Sequence, residues 1–112
     1  MPGPAGVGGA ALFVYGTLLD EERVHALTGR RFRRRPATLE GFARLTAAHG
    51  YPTIVPAPGG QVDGLLLEDV DAQSLAALDA YEDAGRLYAR RPVEVVAGGR
   101  RVACEVYVSL TP

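Results

Sequence analysis

The sequence predicts a small α+β domain in which a curved, mainly antiparallel sheet, open or closed into a barrel, packs against one principal helix and one minor one. Three observations predict it. Runs of β-favouring residues outnumber helical segments, several of these runs are neighbours in sequence, and Gly-containing turns separate them at short intervals.

Taken in order, Met1 to Gly9 is a Gly/Pro-rich stretch that buries little and reads as a mobile tail. A single domain is expected over 10–112. Ala10 to Tyr15 (AALFVY) is apolar and β-favouring and is closed by Gly16, the pattern of a buried strand ending in a turn. Asp20 to Leu27 (DEERVHAL) places acids in its first turn and stops before Gly29, as a short helix does. Arg31 to Arg35 and Ala37 to Ala47 are β-type runs. Tyr51 to Pro58 (YPTIVPAP) carries three prolines and reads as an edge strand or an extended loop. Gly59-Gly60 predicts a turn, Gln61 to Val70 a strand, and Asp71 an N-cap for a helix reaching Asp83. Leu87 to Val96 and Arg100 to Leu110 are strands joined as a hairpin at Ala97-Gly98-Gly99.

Composition narrows the class. The chain has 112 residues, large enough for one core and too small for two. Its apolar runs are broken well below the roughly 18 residues of a membrane-spanning helix. The first residues place no basic group ahead of an apolar stretch, so no secretory signal is read and a cytoplasmic location is expected. Thirteen acids face twelve arginines, with no lysine, for a net charge of −1. That balance speaks against general affinity for nucleic acid. The run Arg30 to Arg35 with Phe32 inside it is the densest basic segment, and solvent-facing arginines on a strand account for it better than an RNA contact. The single cysteine, Cys104, forms no internal disulfide and sits in an alternating strand pattern. With only His25 and His49 beside it, no metal-ligand spacing can be assembled. No motif speaks to oligomeric state.

Glu82 is the most informative residue. In a helix over Asp71 to Asp83, Leu75, Leu78 and Glu82 follow i, i+3, i+7 spacing and share one face. Burying a carboxylate without a partner costs several kcal/mol or makes it take up a proton. Two readings are open: Glu82 lies against the leucines at a cavity, or it sits in a fraying last turn before Gly85 and points to water. Tyr15-Gly16-Thr17-Leu18 lies where the first strand gives way to the first helix. There exposed N–H groups could hold a carboxylate or phosphate, or the residues merely turn the chain.

FVYGTL, HGYPTIVP, VDGLLLEDV and LAALDAYEDAGRLYARRPVEV occur in that order. Together they resemble the γ-glutamylcyclotransferase-like proteins, in particular the γ-glutamylamine cyclotransferase and AIG2-like branch. The likeness runs from Leu12 to Val108. It implies a small, mainly antiparallel β-barrel flanked by helices and a small-molecule γ-glutamyl substrate, with no cofactor or metal. It also implies that the loop Tyr15, Gly16, Thr17 and Leu18 binds the γ-glutamyl group, that Glu82 is the catalytic acid, and that Tyr88 borders the pocket. The implied reaction is intramolecular: the substrate's α-amine attacks its own γ-carbonyl, closing 5-oxoproline and releasing an amine, with Glu82 as general base and then acid. A non-catalytic module binding a small carboxylate or amine in the same pocket is the alternative. Arg90 and Arg91 either reach an anionic substrate group or end an exposed strand, and Asp79, one turn before Glu82, bears on its proton affinity through distance.

Overall fold

The computed structural model describes residues 9–111. Apart from Gly9, the tail expected over Met1 to Gly9 lies outside the described residues. The strands are β1 (Ala10–Val14), β2 (Arg34–Thr46), β3 (Pro52–Val70), β4 (Tyr88–Ala97) and β5 (Arg100–Ser109). Two helices, α1 (Glu21–Thr28) and α2 (Ala72–Tyr81), and a 3₁₀ turn at Thr17–Leu19 complete the order. The strands close into a barrel in the order β1-β3-β2-β4-β5. Closure comes from β1 lying parallel to β5, Leu12 beside Glu105 and Phe13 beside Val106, while the other pairings are antiparallel.

Alternation along β1 divides the core in two. Phe13 points to the same cluster as Leu39, Ile54, Leu66 and Val106. Leu12 and Val14 face the opposite way and pack with Leu18, Val24, Leu67 and Leu78 from the helical side. Both faces of β1 are therefore buried, which is why its sequence is an unbroken apolar run. Gly64 makes the β1–β3 pairing possible. A Cβ there would overlap the Val14 carbonyl oxygen and stand 2.9 Å from the Phe13 ring.

Three expected features need correction. The two β runs at Arg31 to Arg35 and Ala37 to Ala47 are one strand, β2, and Arg31 to Arg33 precede it. Pro36, opposite Leu65, does not interrupt it. Gly59-Gly60 is not a chain reversal: β3 runs through it for 19 residues. Glu40 pairs with Gln61 and the next pair is Phe42 with Pro56, so Ala57 to Gly60 bulge opposite Gly41. A bulge and a turn call for the same residues, and only a partner strand running on past the glycines separates them. Finally, α2 stops at Tyr81, leaving Glu82 as its C-cap.

The remaining elements follow their local signals. Asp20 caps α1 by accepting from the Glu22 and Arg23 N–H groups, and Asp71 caps α2 by accepting from Ser74. Pro52–Pro56 pairs with β2 alone among the described residues, an edge position that its prolines tolerate. Gly98 and Gly99, at φ 59° and 75°, form a two-residue hairpin between Ala97 and Arg100. Among the described residues no helix is long and apolar enough to cross a membrane.

Candidate active site

A cleft of about 300 Å³ opens where the end of β1, the loop after it and the end of α2 meet. Tyr15, Gly16, Thr17, Leu18, Glu82 and Tyr88 all line it. These are the six residues singled out from the sequence, and the fold brings all of them together.

The loop side is built from the strand outward. Tyr15 is buried, and its hydroxyl donates to the Tyr107 carbonyl on β5. After Gly16 the chain enters the 3₁₀ turn, held by Leu19 N–H donating to Gly16 O at 3.0 Å. Leu18 is buried beneath it and Asp20 caps the helix beyond. The loop is thus pinned at both ends, and the Thr17 and Leu18 N–H groups find no carbonyl within so short a turn.

The opposite side is the last turn of α2. Leu78 is fully buried and sets the face of the helix, and Leu75 packs beside the same cluster. Glu82 N–H donates to Leu78 O at 2.9 Å, so the chain is still helical at Glu82. Asp83 then takes φ 54° and turns the chain away, its carboxylate accepting from Arg86 Nε at 2.7 Å. Both sequence readings of Glu82 hold a part of the outcome: it ends the helix, yet its side chain is partly buried in the cleft. Burial pushes its carboxyl up to about 7, and no charged partner among the described residues offsets that cost.

Tyr88, the first residue of β4, is buried and donates its hydroxyl to the Pro52 carbonyl. Burial and the nearby Glu82 push that phenol up to about 12. Phe13, Tyr51, Tyr81 and Tyr107 complete the aromatic lining and are not among the residues the sequence singles out. The Tyr81 side chain adjoins Glu82 and donates to Thr17 Oγ1 at 2.9 Å. Tyr107 faces away from its strand neighbour Val106, as period-two alternation requires, but only the barrel's closure carries that face to α2.

The other flagged residues lie elsewhere. Arg90 pairs with Asp79 and Glu105 and does not line the cleft, and Arg91 is exposed. In the basic run, Arg31 pairs with Glu22, Arg35 with Glu68 and Arg30 with Asp71. Cys104 is a buried strand residue, its thiol pushed up to about 11 by burial. His49 stands behind Tyr88, 5.3 Å from ring to ring, with Nε2 3.0 Å from Ser109 Oγ. Among the described residues no group of three or more His, Cys, Asp or Glu side chains is arranged to hold a metal ion.

The family model described as gamma-glutamyl cyclotransferase, AIG2-like, matches residues 12–112. The chain belongs to this family. Within it, an AIG2-like protein C from Arabidopsis thaliana is 37% identical over 100 residues, covering 87% of this chain and 57% of that protein. A gamma-glutamylaminecyclotransferase from Mus musculus is 34% identical over 123 residues, covering 91% of this chain and 79% of its own length. The crystal structure of an AIG2-like protein from Mus musculus superposes with a TM-score of 0.74 at 34% identity, over 92% of this chain and 78% of that one. Against the Arabidopsis relatives the chain spans between 49% and 59% of the full length. The AIG2-like cyclotransferase family fold accounts for the barrel and for the placement of two helices beside it.

Proposed function

We propose that this chain is a cyclotransferase that releases 5-oxoproline and a free amine from a γ-glutamyl amine or closely related γ-glutamyl amide. The observation that carries the reading is Glu82: a carboxyl group in a cleft, raised by burial to about 7, across from the loop Tyr15 to Leu18. A group poised near neutrality can both accept and return a proton, which cyclisation demands.

In the proposed mechanism Glu82 removes a proton from the α-ammonium, and the freed amine attacks the γ-carbonyl carbon of the same molecule. The C–N bond of the ring forms, the carbonyl oxygen takes up the electron pair of the C=O π bond, and the ring nitrogen releases its second surplus proton to solvent. When the tetrahedral centre collapses, the original amide C–N bond breaks and Glu82 returns its proton to the departing amine. Nucleophile and electrophile belong to one molecule, so holding the cyclising rotamer supplies much of the acceleration. The Tyr15 to Leu18 loop is assigned that role, its amides gripping the α-carboxylate or the developing oxyanion. Tyr88 forms the wall against which the γ-glutamyl chain packs.

The test is release of 5-oxoproline from a panel of γ-glutamyl amines and γ-glutamyl amino acids by the wild type and by Glu82→Gln. Turnover by the wild type that falls at least a hundredfold in the variant supports the reading. A folded Glu82→Gln protein with full activity overturns the role of Glu82. Ligand binding without turnover in both proteins would instead make the cleft a binding module.

A further inference from the structure

Tyr51 is the most exposed aromatic residue of the cleft lining, at 57%. Its backbone is nevertheless held on both sides. The Tyr51 carbonyl accepts from Ala47 N–H at 2.9 Å, the Tyr51 N–H donates to His49 Nδ1 at 3.4 Å, and Gly50 N–H donates to Ala47 O at 2.9 Å. These bonds close a tight turn between β2 and β3 and leave Tyr51 at its exit. One exposed tyrosine on a surface calls for no explanation, but a ring fixed at the mouth of a cleft is contact area whose ordering cost is already met before a ligand arrives.

Pro52 places that ring relative to the rest of the site. Gly16, in the loop after β1, faces the Pro52 side chain: a Cβ at Gly16 would meet the proline Cβ and Cγ at 3.5 Å. The Tyr88 hydroxyl donates to the Pro52 carbonyl. Exposure rises along the chain from Thr53, at 1%, through half-buried Pro52 to Tyr51. The segment therefore climbs from the barrel interior, past Gly16, to the mouth. His49 backs the ring, with centroids 5.8 Å from Tyr51 and 5.3 Å from Tyr88. The Ser109 hydroxyl donates to the Thr111 carbonyl, so at 3.0 Å it accepts from His49 Nε2 and leaves Nδ1 to accept from Tyr51. Across the cleft the polar groups are engaged elsewhere, Tyr81 on Thr17 and Asp83 on Arg86.

We propose that Tyr51 is a specificity-determining residue for the amine side of the substrate: its ring is the platform on which the carbon chain of the departing amine lies, so that amines with an aryl or long alkyl chain are preferred to short ones. The inference rests on the cyclotransferase reading, which sets the γ-glutamyl group at the Tyr15 to Leu18 loop and the scissile bond at Glu82. The wall that continues outward from that loop is Pro52 and then Tyr51, and both offer carbon to a passing chain. Recognition there comes from contact area on a fixed, uncharged ring.

The experiment compares γ-glutamylbenzylamide with γ-glutamylmethylamide as substrates of the full chain. The wild type is expected to favour the benzylamide in kcat/KM, chiefly through a lower KM, because the ring is touched before the chemical step as well as during it. In Tyr51→Ala the ratio of the two kcat/KM values is expected to fall about tenfold. Tyr51→Phe, which keeps the ring, is expected to hold the wild-type ratio. Differences in the basicity of the two amines cancel when ratios are compared between proteins. A wild type without preference, a Tyr51→Ala protein that loses the same factor on both substrates, or a Tyr51→Phe protein whose ratio falls as far as that of the alanine variant overturns the proposal, since loosening of the turn has no reason to distinguish the two amines. Calorimetric titration of both amides into Glu82→Gln, with and without Tyr51→Ala, reads the same subsite without turnover. If binding there shows the Tyr51-dependent preference while the wild type releases no 5-oxoproline, the cyclotransferase reading fails and the subsite stands. Absence of both turnover and binding for the two amides overturns the proposal.

Discussion

The Tyr81 hydroxyl donates to Thr17 Oγ1 at 2.9 Å, joining the residue before Glu82 to the loop that follows β1. Residues 64 positions apart are thereby held in one register across the cleft. Arg23 steadies the contact, its guanidinium lying 5.8 Å from the centre of the Tyr81 ring.

Tyr81→Phe removes this bond while keeping the ring. Loop and helix end then lose their common tether, and kcat/KM for a turned-over γ-glutamyl amine is expected to drop about fivefold, the equivalent of about 1 kcal/mol. Steady-state kinetics check it. Thr17→Val, which removes the acceptor, should produce a similar loss, and the double variant should add little to either.

The acid limb of the activity profile belongs to Glu82. As base it must be ionised in the free enzyme, so kcat/KM is expected to rise with pH through a midpoint near 7, well above the 4.5 of an ordinary glutamate. Profiles measured between pH 5 and 9 check this. A limb near 4.5 would mean that a different group supplies the base.

Stability carries the same signature. Burial raises Glu82 above its unfolded value, so between pH 4.5 and 7 the folded chain holds a proton that the unfolded chain has released. Its contribution to stability is therefore greatest at low pH, declines as pH rises through this window, and is gone above the folded midpoint. Glu82→Gln removes the charged form, so at pH 8 it is expected to be more stable than the wild type by about 2 kcal/mol after allowing for solvent screening on its open side. At pH 4 the two should differ little. Urea denaturation at both values measures the difference.

Gly64 bears on the barrel. Gly64→Ala drives a Cβ into the Val14 carbonyl oxygen, backbone against backbone, with the Phe13 ring closing off escape. A loss of about 3 kcal/mol is expected, read by denaturant titration, together with a weakened β1–β3 pairing. Because β1 leads directly into Tyr15, a folded Gly64→Ala protein should also bind substrate less well.

Much of the site could be read in the chain because its signals are local. Helical spacing puts Leu78 and Glu82 on one face whatever the rest of the molecule does, and Gly16 ends a strand wherever that strand lies. Tyr88 and the Tyr15 to Leu18 loop were reachable through a resemblance spread over four motifs. Tyr51 and Tyr107 offered no comparable signal. Their positions in the cleft depend on how β3 and β5 are placed around the barrel, and a tyrosine on an alternating strand has the same local pattern whether it meets α2 or solvent.

The amino-acid sequence by itself determined the α+β class, the order of strands and helices apart from the junctions inside β2 and β3, the Asp71 cap and the helix face that Leu75, Leu78 and Glu82 share, since each depends on residues within a turn or two of one another. The tertiary structure alone decided that Gly59-Gly60 is a bulge, that β1 closes the barrel against β5, and that Arg90 is spent on Asp79 and Glu105 while Glu82 has no charged partner among the described residues. Those outcomes are set by contacts between residues far apart in the chain. A strand's neighbour and a carboxylate's desolvation exist only once the chain has folded.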